Sequence, residues 1–245
     1  MLIHGSQPSL GAIKNLNSQE NRIKKLFNSL SSGKRINSFS DDSAGGAISV
    51  KLQALFKQYN QEIRNLQDKV SMNQVKEAGY SQIADNLTEI RKLQVQAGND
   101  TLTGDDRKYI QDQIDGLKKN ISDIVDNTKF NTKKLINAGE GLKNFLENES
   151  DFQGRIEDTD SVIKEVSSQT ADIGAEVNSL NSQIDQKSIA FENTIASYSG
   201  ISDMDIAKGM VNLIKNEILD QGPLSSLRKY YQLNTEQVTN LLNSL

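Results

Sequence analysis

The chain has 245 residues, 28 Lys and Arg against 32 Asp and Glu, two Pro, one His, no Cys and no Trp, and only 5% of its residues are aromatic. Without Cys there is no disulfide framework, thiolate zinc site or thiol nucleophile, and His4 alone cannot supply a histidine triad or a two-histidine metal motif, so no cofactor is expected. Pro8 and Pro223 stand near the two ends and leave the long middle of the chain without a proline, a pattern that suits long helices better than one ordinary globular core.

The first element predicted from the N-terminus is an amphipathic helix: Ile13, Leu16, Ile23, Phe27 and Leu30 recur by threes and fours around a polar Glu20, and Ser31, Ser32 and Gly33 end the run. This arm is basic, but Lys14, Arg22, Lys24, Lys25, Lys34 and Arg35 have only Phe27 and Phe39 among them. A nucleic-acid surface wants cations and aromatics interleaved on one face, so the charges read instead as a solvated face or one that meets an acidic neighbour. Met1 to Pro8 lacks a basic stretch followed by an apolar core, and no segment approaches the ~18 apolar residues of a membrane span. Neither a secretory signal nor membrane anchoring is expected.

Asp41 and Asp42 are candidate caps for a second helix that carries Leu52, Phe56, Tyr59, Ile63, Leu66 and Val70 and continues through Ile83, Leu87, Ile90 and Leu93 to Gly98. Some 55 residues would extend about 80 Å at 1.5 Å per residue. Thr103 to Asp106 reads as the next turn and cap, and Ile110, Ile114, Leu117, Ile121 and Ile124 then hold a heptad up to Asn127. Residues 128–158 lose the period, and glycines at 139, 141 and 154 predict a loop there with a β-hairpin pairing Thr132–Ile136 with Gly141–Leu146.

Helical spacing resumes with Val166, Thr170, Ile173, Val177, Leu180, Ile184, Lys187, Phe191, Ile195 and Tyr198, an a/d series flawed at Thr170 and Lys187. A last stretch carries Ile206, Met210 and Leu213, then Leu224, Leu227, Tyr231, Val238, Leu241 and Leu245, with Leu242 beside them and with Gly222 and Pro223 predicting a break or bend between its parts. The fold class is therefore all-α: a long antiparallel, coiled-coil-like helical rod with a β-hairpin at its distal tip and paired terminal helices. Its expected divisions are an N-terminal arm (1–40), a rod (41–202) and a C-terminal arm (203–245). Each arm has too little chain around it to bury its own stripe, so the partners expected for both are each other and further copies. Paired acids at helix starts, such as Asp41 with Asp42 and Asp105 with Asp106, read as caps rather than catalysts, and no enzyme is expected.

Leu30-Ser31-Ser32-Gly33-Lys34-Arg35-Ile36-Asn37-Ser38, followed by Asp41-Asp42-Ser43-Ala44-Gly45-Gly46-Ala47-Ile48, closely resembles the N-terminal signature of bacterial flagellins. The likeness continues at Leu87-Thr88-Glu89-Ile90-Arg91-Lys92-Leu93-Gln94-Val95-Gln96-Ala97, at Asn127-Thr128-Lys129-Phe130-Asn131, and at Ile201-Ser202-Asp203-Met204-Asp205-Ile206-Ala207. The resemblance implies a subunit that self-assembles into a hollow helical homopolymer, the extracellular flagellar filament used for swimming. It also implies export through the flagellar type III apparatus, and an export chaperone, a filament cap and hook–filament junction proteins as partners. The stripes of the two arms, with Lys34, Arg35, Asp41 and Asp42, are the predicted polymerisation contacts. The family's outer domains, inserted after the hairpin, have no room here, so a minimal form and a thin filament are expected. The competing readings are a hook–filament junction protein and, from another class, an intracellular coiled-coil adaptor, which would explain the heptads but not the signature segments.

Overall fold

A computed structural model describes residues 7–147 and 155–242. Among these residues six helices and one two-stranded sheet follow in order: α1 (Gln7–Ser32), α2 (Ser43–Ala97), α3 (Gly104–Asn127), β1 (Lys129–Phe130), β2 (Lys133–Lys134), α4 (Glu140–Glu147), α5 (Arg155–Ser202) and α6 (Ile206–Leu242). The all-α class and the small hairpin agree with the sequence reading, and α2 runs its full 55 residues without a break. The chain divides into a terminal unit, Met1–Lys57 with Phe191–Leu245, and a central unit, Gln58–Ala190.

The central unit has a closed core. Ile83, Leu87 and Ile90 of α2 meet Ile114 and Ile121 of α3, Ile136, and Val166 and Ile173 of α5, all with at most 1% of their surface exposed. Burial of a large aliphatic side chain to this degree is worth about 1.5–3 kcal/mol each before the entropy of ordering the chain is counted. Helix α3 starts at a reciprocal cap: the Thr103 hydroxyl accepts from the Asp106 amide at 3.3 Å while the Asp106 carboxylate accepts from the Thr103 amide at 3.0 Å. Hydrogen bonding from Thr103 holds the Asp106 carboxyl below the usual carboxylate range.

Antiparallel pairing of α2 with α5 inside this unit is pinned by polar contacts at both ends. Arg91 pairs with Asp160, beside a buried hydrogen bond from the Thr159 hydroxyl to the Gln94 side-chain oxygen at 2.9 Å. Toward the other end, the Lys187 ammonium lies 2.8 Å from Glu62 and 5.3 Å from the centre of the Tyr59 ring. The charge that interrupts the a/d series of α5 is thereby matched by a carboxylate and an aromatic face on α2.

The hairpin lies earlier than expected. Lys129 pairs with Lys134 and Phe130 with Lys133, and Asn131 and Thr132 make the turn with φ of 47° and 67°. Positive φ at both central positions is the geometry that two-residue hairpins require, here without glycine. The Lys134 ammonium is balanced by Asp126 at 2.7 Å, which lowers the Asp126 pKa. The predicted second strand, Gly141–Leu146, lies instead within α4, whose Leu142 and Phe145 are buried. Gly139 and Gly141 mark a close approach: the Glu165 carboxylate of α5 occupies the space a Cβ would fill at either position.

Of the break or bend expected at Gly222 and Pro223, the break is absent, for α6 continues as α-helix through Pro223. Proline removes one amide donor and crowds the carbonyl four residues back, but it leaves the remaining hydrogen bonds of a 37-residue helix in place. The Ser225 hydroxyl donates to the Gln221 and Gly222 carbonyls next to the missing bond, both at 2.9 Å.

Candidate functional site

The terminal unit turns on the segment between α1 and α2. Gly33 takes φ of +69°, a left-handed conformation that lets the chain leave α1 sharply. Its carbonyl accepts from the Met204 amide at 2.9 Å, and the Arg35 amide donates to the Ser202 carbonyl at 2.7 Å, so residues 33–35 clasp the junction between α5 and α6 as a short antiparallel bridge. The Arg35 guanidinium adds hydrogen bonds to the Ile201 carbonyl, at 2.7 and 3.1 Å, and reaches Asp42 at 3.4 Å. Asp42 in turn caps α2, accepting from the Gly45 amide at 2.8 Å. Burial pushes the Asp41 carboxyl up, but the amides of Asn37 and Ser38 and the Lys25 ammonium outweigh it and leave its pKa lowered. The Tyr198 phenol is held below its ordinary pKa, first by hydrogen bonding with Ser202 and then by Lys34. Lys34, Arg35, Asp41 and Asp42 are thus engaged within the chain, joining α1, α2 and the α5–α6 junction.

This clasp sets α6 antiparallel to α1. The Gln19 amide group donates to the Asn216 side chain at 3.2 Å, and nearer the clasp, further along α1 and further back along α6, the Leu30 methyl sits against Gly209. Leu16, Gln19, Ile23, Leu26 and Leu30 form the α1 side of this seam; Gly209, Leu213, Asn216, Asp220 and Pro223 form the α6 side, and of these only Gly209 is fully buried.

The sequence-predicted contacts therefore divide. Leu16, Ile23, Leu30 and Leu213 are half-buried in the seam. Ile13, Phe27, Ile206, Met210, Tyr231 and Val238 remain exposed, Phe27 to 64%. Leu227, Leu241 and Leu242 belong to α6, but their side chains lie outside the described residues. Sequence reasoning missed a second apolar row on α6, Val211, Ile214 and Ile218, whose spacing by three and four was legible but was hidden by the choice of one stripe per helix. The chemistry available here is apolar burial bordered by charge. Among the described residues no cluster of three or more His, Cys, Asp or Glu could hold a metal, and no helix is long and apolar enough to cross a membrane.

Residues 3–141 match the family profile described as the bacterial flagellin N-terminal helical region, and residues 156–242 match the bacterial flagellin C-terminal helical region. The chain is 30% identical over 262 residues to a flagellin of Halalkalibacterium halodurans, covering 95% of this chain and 96% of that one. It is 30% identical over 295 residues to a flagellin of Bacillus subtilis, covering 95% and 97%, and 28% identical over 286 residues to the flagellar filament 33 kDa core protein of Treponema phagedenis, covering 99% and 100%. The crystal structure of Bacillus cereus flagellin is similar with a TM-score of 0.46 and 20% identity, over 51% of this chain and 88% of that chain. The chain belongs to the bacterial flagellin family, whose members are structural subunits of the extracellular flagellar filament and not enzymes.

Proposed function

We propose that the chain polymerises through its two terminal arms, residues 1–40 and 203–245, which line the inner tube of a hollow filament while residues 41–202 form the layer around it. The supporting observation is the distribution of large apolar side chains. Every one that is fully buried among the described residues belongs to the central unit, while Phe27, Ile206, Met210, Val211, Ile214 and Ile218 of the terminal unit are exposed. Such an exposed apolar surface is an interaction surface, and the interaction a filament subunit needs is with other copies of itself. Export follows the flagellar type III route in this reading, and the absence of Cys is compatible with passage through a narrow channel without cross-links. An export chaperone, a filament cap and junction proteins at the hook are the accessory partners.

Removal of residues 206–242 tests the proposal. The truncated chain should keep the far-ultraviolet dichroism of the central helices and fail to form filaments by electron microscopy and sedimentation. Filaments of normal diameter from that chain would sink the reading.

A further inference from the structure

The α1–α6 pair carries two apolar faces of different character. At 3.6 residues per turn, Ile13, Glu20 and Phe27 follow one another at seven-residue intervals and lie about 70° to one side of the seam. Ile206, Met210, Glu217 and Leu224 lie about 50–90° from the α6 side of the seam in the same rotational sense. In an antiparallel pair, residues rotated in the same sense from their facing seams emerge on the same side. The two rows therefore make one face: Phe27 with Met210 at one end, Ile13 with Leu224 at the other, and the carboxylates of Glu20 and Glu217 between them. Among the described residues Glu20 pairs with Lys24 of its own helix, at 2.7 Å, and both side chains are largely in solvent. An exposed pair of this kind exchanges easily for another partner.

The second face is the side of α6 turned away from α1. Val211, Ile214 and Ile218 lie about 130–190° from the seam, and Val211 and Ile218 are exposed to 66% and 63%. Lys208 and Lys215 border this row at the three- and four-residue spacings that place side chains next to each other on a helix. One face is thus apolar with an acidic centre, and the other is apolar with a basic edge.

We propose that these faces dock on one another between copies: Val211, Ile214 and Ile218 of one subunit pack on the Phe27 and Met210 end of the next, with Lys208 and Lys215 directed to its Glu20 and Glu217. The inference rests on the filament reading and adds to it which surfaces meet. The occupant is a second copy because each face supplies the apolar area and the charge that the other lacks. The contact is heterologous, since two different patches meet, so a docked pair still offers one free face of each kind and growth does not close on a dimer.

The Cys-free chain allows a direct test, in which the filament reading and the docking are scored separately. The doubly substituted F27C/I214C chain is assembled and treated with a mild oxidant. Filaments seen by microscopy, with a ladder of covalent multimers on a non-reducing gel, are expected; F27C or I214C alone should give no ladder. Filaments without a ladder, or covalent dimers from I214C alone, would overturn the docking while leaving the filament reading intact. If the unsubstituted chain fails to form filaments, the filament reading itself fails. A second arm needs no cysteine: K208E/K215E should reduce filament mass at least tenfold, and E20K/E217K in the same chain should restore it. No reduction by the first pair, or no restoration by the second, would count against the proposed pairing.

Discussion

The central and terminal units are built from helices of comparable length with apolar residues at similar spacings, yet they use those residues in opposite ways. In the central unit α2, α3 and α5 enclose a common core, and Ile83, Leu87, Ile90, Ile114 and Ile121 lose all contact with solvent. In the terminal unit the residues that reach full burial among those described are small or polar: Gly45, Gly46, Ser202 and Gly209. Period alone does not decide burial. A stripe is buried when enough neighbouring helices close around it, and α1 and α6 offer each other one stripe apiece while α6 carries two. The central unit is therefore expected to hold its fold as a monomer, and the terminal unit to gain most of its stability from other copies.

Matched substitutions of one residue type give the largest contrast. Ile114→Ala removes a fully buried side chain and should cost about 2–5 kcal/mol in urea unfolding of the monomer. Ile214→Ala, at a position half-exposed in the chain, should change the same transition by less than about 0.5 kcal/mol and instead raise the concentration needed for assembly. Equal destabilisation of the monomer by both would show that the terminal unit has a closed core of its own.

Proline 223 gives a smaller effect, confined to the terminal unit. Because α6 runs through it, Pro223→Ala restores one amide donor and removes a clash with the Leu219 carbonyl. The gain should be up to about 3 kcal/mol of local helix stability, read as slower amide exchange in residues 216–228 with no change in exchange across α3. Faster exchange in the variant would mean that the proline is needed for the seam with α1.

Most of the helical layout was legible because long helices announce themselves through period and caps. The reach of α2 from its Asp42 cap to Ala97, the Thr103 cap of α3 and the return helix α5 all follow from such local signals. The hairpin lies earlier than its sequence signals suggest, and α4 stands where they suggest a second strand, because Gly139 and Gly141 look locally like turn formers. Their use is tertiary: they make room for a carboxylate arriving from α5, and nothing local records that. The same holds for Arg35, which in sequence is an exposed cation next to a glycine and in the fold links α2 to the end of α5. Val211, Ile214 and Ile218 were visible as a pattern, but only the seam shows that they face away from α1.

The smallest contrast concerns two tyrosines among the chain's six, and it has opposite signs in the two units. Burial, with a lesser contribution from the Glu165 carboxylate, pushes the Tyr80 phenol of the central unit above its ordinary value of 10.0. The folded state then favours the neutral phenol, so this contribution to stability is complete below pH 10 and is lost as pH rises through the raised folded value. Tyr198 of the terminal unit is lowered, first by its hydrogen bond to Ser202 and then by Lys34, against an opposing effect of burial. The folded state there favours the phenolate, and the contribution is present above pH 10 and falls away as pH drops through the lowered folded value. An alkaline titration of phenolate absorbance should therefore lose its latest component in Tyr80→Phe and its earliest component in Tyr198→Phe. If the two variants remove the same part of the curve, the distinction between a buried central tyrosine and one held by the clasp does not hold.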